Sequence, residues 1–322
     1  FGGDEFVIVA MHEHNEGQAQ YSVLADKLLA VLSGPVELQD SEISPTVSIG
    51  IAVAPGDATS FESLYKKADL AMYATKEAGR NSYRYFNEEM HRDSSRQLLI
   101  SQGLRAALAN NQFKLHFQST QLARSDGGAL KDTIVGAEAL LRWQHPTLGN
   151  IPPGEFIAIA EQTGSIADIG LWVLDEAIKA CKEWHELGFA HMKVAVNVSA
   201  IQFHRHEFEK HVEAALARHK LDGQYLVLEL TESMLFDTQE RLQHSIAQIQ
   251  GLGVGIAIDD FGTGYSNLGY LQKSNINVLK IDRSFISKIL QSKQDESIVS
   301  TIINMAESLN MEVIAEGVET HD

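Results

Sequence analysis

The chain has 322 residues, 44% of them hydrophobic and 21% charged, enough to bury a sizeable core and unlike a disordered or low-complexity segment. Its 26 Lys and Arg against 43 Asp and Glu give a net charge of −17, which argues against a nucleic-acid polymer as partner. An acidic protein can still hold phosphates when metal ions intervene. No run approaches the roughly 18 apolar residues of a membrane span, so this segment is expected to be soluble and without membrane contact. The one cysteine, Cys181, excludes a disulfide framework and suits a reducing, cytoplasmic setting, although a full-length parent could be anchored upstream. The chain opens at Phe1 inside a motif, without a start Met, and its end is equally abrupt, so it reads as a fragment.

In chain order, Phe6–Ala10 is an apolar run of strand length. Residues 21–33 have helical apolar spacing and stop before the breaker pair Gly34-Pro35. A strand is predicted at 46–53, and a helix at 60–79 capped by Ser60 and stopped by Gly79. Residues 1–86 therefore read as a small α/β piece. The polar stretch 87–97 has nothing to bury and reads as a linker continuing into a helix at 98–110. From 113 onward, strands at 113–119, 134–141, 194–198, 226–230, 254–258, 278–281 and 312–315 alternate with helices at 155–163, 168–187, 204–219, 239–251 and 295–310. That alternation implies a mostly parallel sheet, and its length suits a (β/α)₈ barrel over 98–322 with the last strand unit absent from this chain.

The acidic residues fall at the ends of these strands. Glu138 lies within the strand 134–141, Asn197 ends Val194-Ala195-Val196, and Glu229 ends Leu226-Val227-Leu228. Asp259 and Asp260 follow Ile256-Ala257-Ile258, Lys280 follows Val278-Leu279, and Glu316 follows Val313-Ile314-Ala315. In a barrel the C-terminal strand ends converge on one face. A single acidic residue at such an end is commonly a helix cap or a surface ion-pair partner, and two adjacent aspartates are often just a turn. Six coincidences at one topological position are another matter. Buried carboxylates must be paired or metal-bound, and one lysine cannot neutralise five of them. Oxygen-rich ligand sets favour hard divalent cations, Mg²⁺ or Mn²⁺, and the arrangement points to a two-metal hydrolase of phosphoesters.

Glu138-Ala139-Leu140-Leu141-Arg142-Trp143 resembles the signature of EAL-domain cyclic-di-GMP phosphodiesterases. The resemblance extends through Asn197-Val198-Ser199, Glu229-Leu230-Thr231-Glu232, Asp259-Asp260-Phe261-Gly262-Thr263-Gly264-Tyr265-Ser266, Lys280-Ile281-Asp282 and Glu316-Gly317-Val318-Glu319. Six motifs in the family's order are a specific signal. Phe1-Gly2-Gly3-Asp4-Glu5-Phe6 resembles the motif of GGDEF diguanylate cyclases, supported by Val47-Ser48-Ile49-Gly50, Ala68–Tyr73, Lys76 and Gly79-Arg80-Asn81. Gly2 and Gly3 would let backbone approach a phosphate, and Asp4 and Glu5 could hold Mg²⁺. Only the second half of that domain precedes the linker.

The EAL resemblance implies two divalent ions, one held by Glu138, Asn197, Glu229 and Asp259 and the other by Asp259, Asp260 and Glu316. Lys280 would orient the attacking water, and the product would be the linear dinucleotide pGpG. Arg142 would contact phosphate, Gln118 and Leu140 would line the substrate groove, and Glu232 would anchor the loop from Asp259 to Ser266, which feeds a homodimer contact. Gln118 is followed by Ser119 where the family commonly has proline. The GGDEF part of the full-length protein implies GTP as a second ligand. Alternatives from other classes are a silent cyclic-di-GMP receptor and net diguanylate cyclase activity in the parent. The histidines at 12, 14, 204 and 206 are spaced by two and so fall on different helix faces, which argues against metal binding. Cys181, Trp143, Trp172 and Trp184 read as packing.

Overall fold

The computed structural model describes residues 4–11, 19–38, 41–122, 134–204, 207–235, 240–262, 271 and 276–320. Two compact units divide the chain, Phe1–Leu99 and Ile100–Asp322. In the first, α1 (Ala19–Leu32) precedes the hairpin β1 (Val36–Leu38) and β2 (Ser41–Ile43); β3 (Ser48–Ile51) then pairs in parallel with β4 (Ser82–Tyr85) across α2 (Phe61–Glu77). Ser60 caps α2 as expected, its hydroxyl accepting the Ser63 N–H at 3.3 Å. A Cβ on Gly50 would stand 1.9 Å from the Ala68 carbonyl oxygen, so β3 and α2 approach as closely as only glycine allows. The apolar run Phe6–Ala10 forms no strand and is exposed, Phe6 at 87%. Apolar composition alone does not make a strand; a ladder partner does, and no described strand pairs with this run.

Residues 88–97, read as a linker, form the first half of a helix, α3 (Glu88–Ala107). Glu88 and Glu89 sit at its positive N-terminal end, and Asn87 Oδ1 accepts the Met90 N–H. Its second half supplies what the first lacks: Ile100, Leu104 and Ala107 are buried.

The second unit is a curled sheet of barrel type. Along it run β5 (Phe113–Gln121), β6 (Ile134–His145), β8 (Lys193–Asn197), β9 (Leu226–Thr231), β10 (Gly255–Phe261), β11 (Val278–Ile281) and β12 (Glu312–Ala315), in that spatial order, with β7 (Gly149–Ile151) paired to β6. All seven predicted strands are present. Along the path β6-β8-β9-β10-β11-β12 every pairing is parallel, whereas β5 and β7 each run antiparallel to β6. An antiparallel pair, unlike a parallel one, needs no crossover helix between its strands. Between the other strands lie α4 (Pro153–Gln162), α5 (Ile166–Glu186), α6 (Ala200–His204), α7 (Phe208–His219), α8 (Glu232–Leu235), α9 (Glu240–Gly251), α10 (Arg283–Ile286) and α11 (Lys293–Ser308).

Alternation along the strands divides the core in two. Val194, Val196, Leu226, Leu228, Leu230, Ile256, Ile258, Leu279 and Ile281 pack in one cluster with Val173 and Ile178 of α5, Val212 of α7, Ile249 of α9 and Ile302 of α11. The intervening residues Val227, Ala257 and Val278, with Ala195 and Ile314, make a second, small apolar cluster on the other face. One strand step further, on this same face, stand Asn197, Glu229, Asp259, Lys280 and Glu316.

Trp143 is fully buried, its indole N–H donating to Gln112 Oε1 at 3.0 Å; Trp172 and Trp184 pack against the same core, and Cys181 is inside it. Burial pushes the Cys181 thiol up to about 12, so it is an inert packing group. No helix of the described residues is long and apolar enough to cross a membrane. Gly50→Ala is expected to cost about 1–3 kcal/mol of stability by forcing β3 and α2 apart, with the loss of amide-exchange protection confined to residues 48–85; unchanged protection there would contradict the packing.

Candidate active site

Lys280 is the hub. Its side chain, 3% exposed, is offered at the end of β11, and its ammonium lies 2.8 Å from Glu316 Oε1, 2.9 Å from Glu229 Oε2, 3.1 Å from Asp259 Oδ1 and 3.2 Å from Glu138 Oε2. The four carboxylates come from β6, β9, β10 and the residue after β12. Parallel register sets their heights: Asn197 lies opposite Glu229, Glu229 opposite Ala257, and Lys280 opposite Ile314. Asn197 completes the group by donating its amide to Glu138 Oε1 at 2.6 Å. Both oxygens of Glu138 are therefore oriented, one by Asn197 and one by Lys280.

Strict strand alternation would send Asp259 and Asp260 to opposite faces. A break in register between β10 and β11, where Ile258 pairs with Leu279 and Phe261 with Ile281, inserts an extra residue, and Asp260 takes the left-handed conformation at φ 53°. Aspartate tolerates that region better than most residues. The bulge brings one carboxylate oxygen each from Asp259, Asp260 and Glu316 within 4.8 Å of one another. Asp260 in turn is within hydrogen-bonding reach of Asp282, which caps α10 by accepting the Ser284 N–H at 2.9 Å. The Ser284 bonds hold Asp282 below the usual carboxylate range.

Five carboxylates face one ammonium. Burial by itself works against the Lys280 charge, but Glu229, Glu138 and Asp259 outweigh it and hold the ammonium above its ordinary value. Burial pushes Glu229 up to about 8 against the pull of Lys280, with Glu138 and Asp259 adding to the rise. Burial likewise raises Asp260, reinforced by Asp259, and raises Glu316 despite its bond to Lys280. The site thus carries negative charge that its own cation leaves uncompensated. The donors are all oxygen, and a divalent cation of the Mg²⁺ or Mn²⁺ kind fits this set.

Glu232, at the start of α8, is 5% exposed and accepts the Gly262 N–H through Oε2 at 3.3 Å. Gly262 has φ 98°, a conformation suited to glycine, and directly follows the two aspartates and Phe261. Residues 263–266 of the loop that Glu232 was expected to anchor lie outside the described residues. Gln118 on β5 lies opposite Glu138, and Leu140 and Arg142 share the Glu138 side of β6 by alternation. The Arg142 guanidinium donates to the Leu141 carbonyl at 2.9 Å. Of the GGDEF residues, Gly2 and Gly3 lie outside the described residues, as do His12, His14 and His206. Asp4 and Glu5 are exposed, Glu5 is 3.8 Å from Lys76, and Arg80 takes a left-handed φ of 60°.

Asp282 and Gln202 support the site without having been expected there from the sequence. Asp282 carries a legible signal, since an Asp two residues before Ser284 at a helix start is a cap pattern. Gln202 carries none, because a polar residue in a short helix reads as surface.

Removing the Lys280 charge while keeping its stem leaves four carboxylates facing one another, Glu229 buried and Glu138, Asp259 and Glu316 partly so. Lys280→Met should destabilise the metal-free protein by about 3–5 kcal/mol in urea unfolding, and Mg²⁺ should restore more stability to the variant than to wild type. Equal stability would show that the ammonium is not the charge that holds the cluster.

An EAL domain model matches residues 101–322, and a model described as diguanylate cyclase, GGDEF domain, matches residues 1–82. The bifunctional diguanylate cyclase/cyclic di-GMP phosphodiesterase MucR of Pseudomonas aeruginosa is 42% identical over 319 residues, which are 99% of this chain and 45% of that protein. The cyclic di-GMP phosphodiesterase NbdA of the same organism is 36% identical over 321 residues, 99% of this chain and 40% of its own length. This chain thus spans less than half of either relative. A solved structure described as the PaMucR phosphodiesterase in complex with c-di-GMP superposes with a TM-score of 0.65 at 43% identity, covering 69% of this chain and 88% of that one. With more than half of its length matched by one family model and a carboxylate cluster on the strand ends that carry that family's motifs, the chain belongs to the EAL-domain family, preceded by a segment of the GGDEF family.

Proposed function

We propose that the C-terminal unit is a cyclic-di-GMP phosphodiesterase that opens its substrate to pGpG. The observation that carries this reading is the convergence of Glu138, Glu229, Asp259 and Glu316 on the buried ammonium of Lys280, with Asp260 beside them. The relatives named above support the substrate. In this reading Glu138, Asn197, Glu229 and Asp259 would hold one divalent cation, and Asp259, Asp260 and Glu316 would hold the other. Such ions, when bound, lower the pKa of water towards neutrality and offset phosphate charge.

The remaining work falls to the chain itself. Lys280 keeps its proton at the pH of the cell, so it acts as a fixed donor that orients the attacking water and stabilises charge on the phosphoryl oxygens. That water adds to phosphorus in line and releases a proton to solvent, the bond to the ribose 3′ oxygen breaks, and a proton from solvent ends on the leaving oxygen. Arg142, on the same side of β6 as Glu138, would bind a phosphate oxygen by its planar fork, giving up its bond to the Leu141 carbonyl. Gln118 and Leu140 line the groove next to it. Glu232 never touches substrate; it ties Gly262 down and so fixes where Asp259 and Asp260 point.

Incubating the protein with Mg²⁺ and cyclic-di-GMP and resolving the products by chromatography should show pGpG. Glu138→Ala should abolish that product with the melting temperature nearly unchanged. Binding without turnover in wild type would instead identify a receptor. Ca²⁺ is larger and accepts irregular coordination, so it should support little turnover compared with Mg²⁺ or Mn²⁺. Glu232→Ala should cut kcat on the order of 100-fold by releasing the aspartates from register while changing metal affinity less than Glu229→Ala does. A lowered melting temperature with unchanged kcat would reduce Glu232 to a helix cap.

A further inference from the structure

Gln202 lies on α6, away from the carboxylates, yet its side chain is only 4% exposed. Its Oε1 accepts the Ser199 N–H at 2.9 Å, and its own N–H donates to the Ser199 carbonyl at 3.0 Å. The Ser199 hydroxyl donates to Glu161 Oε1 on α4 at 2.6 Å, and the Val198 N–H donates to the Glu229 carbonyl at 3.0 Å. The turn that leaves β8 is thus tied to three elements. Gly170 on α5 completes the seat: a Cβ there would stand 2.1 Å from Gln202 Nε2 and 2.4 Å from its Cδ. The amide rests on bare helix backbone, and any side chain at position 170 would displace it. A buried amide is costly unless bonded, so this arrangement is built and not incidental.

Asn197 is two residues before Ser199 on this turn, and its amide orients Glu138. We infer that Gln202 is a positioning residue for Asn197: by holding the 198–200 turn against α5, it sets the Asn197 amide on Glu138 and leaves the Asn197 Oδ1 free to ligate a cation. The inference rests on the phosphodiesterase reading only for its effect on turnover; its effect on cation binding stands independently. The residue acts through backbone placement and touches no reacting atom.

The test uses the full chain with two single variants and their double. Gln202→Met keeps the volume and removes the acceptor, and Gly170→Ala unseats the amide without altering it. Each should weaken Mn²⁺ binding about 10-fold in calorimetric titration of the metal-free protein and lower kcat for cyclic-di-GMP about 10–100-fold, the cost usual for groups that orient a ligand, with KM nearly unchanged. The double variant should be no worse than either single, because both remove the same seat. Wild-type Mn²⁺ affinity and kcat in variants that have merely lost melting temperature would overturn the inference, as would additive losses in the double. Should Gln202→Met fail to fold, Gly170→Ala alone decides it by the same two readouts. Wild-type protein that makes no pGpG would defeat the functional reading, while the Mn²⁺ titrations would still decide the role of Gln202.

Discussion

The structure depends on keeping five carboxylates around one ammonium that is itself buried, with Glu229 beside it, where water screens their charges least. Lys280 reaches four of the carboxylates between 2.8 and 3.2 Å, and removing that charge would leave them repelling one another inside the sheet. Ion pairs of this kind add little to stability relative to an apolar core. Their presence therefore points to function, and the rest of the unit can be understood as what makes the arrangement tolerable.

The first such provision is the layering of the sheet. Val227, Ala257 and Val278, with Ala195 and Ile314, close the inner face just below the charged layer. On the opposite face, long aliphatic side chains from the same strands bury themselves under the helices. Each fully buried side chain of this size contributes about 1.5–3 kcal/mol, and together they offset the desolvation of a handful of charges. A parallel strand can then spend one residue near its C-terminal end on chemistry without losing its place in the core. Irregularity is confined to one point, the bulge at Asp259-Asp260, which turns two successive carboxylates towards one region.

A second provision is the set of groups around that layer which hold it without joining it. Glu232 fixes Gly262, Asp282 caps α10 while facing Asp260, and Gln202 holds the turn beyond Asn197. Each lies one connection behind a carboxylate or amide of the site. Catalytic geometry is sensitive to displacements of about 1 Å, so such supports govern activity as much as the ligands do.

The sequence by itself determined the seven strands of the second unit, because each is a short apolar run between turn signals, and it determined which polar residues stand at their ends. Glu138, Asn197, Glu229, Asp259, Lys280 and Glu316 were all legible, since a charged residue at the end of a buried strand is conspicuous in one dimension. Only the tertiary structure decided the antiparallel start of the sheet, the exposed run Phe6–Ala10, which no described strand pairs with, and the helical state of residues 88–97. Those outcomes depend on partners that local pattern does not reveal. The same holds for Gln202: nothing in Ala200-Ile201-Gln202 marks its amide as buried, because the burial is created by Gly170, which is remote in sequence and adjacent only in space. Strand interiors carry their own signal through hydrophobicity, whereas the seat of a polar side chain is a property of the elements that meet there.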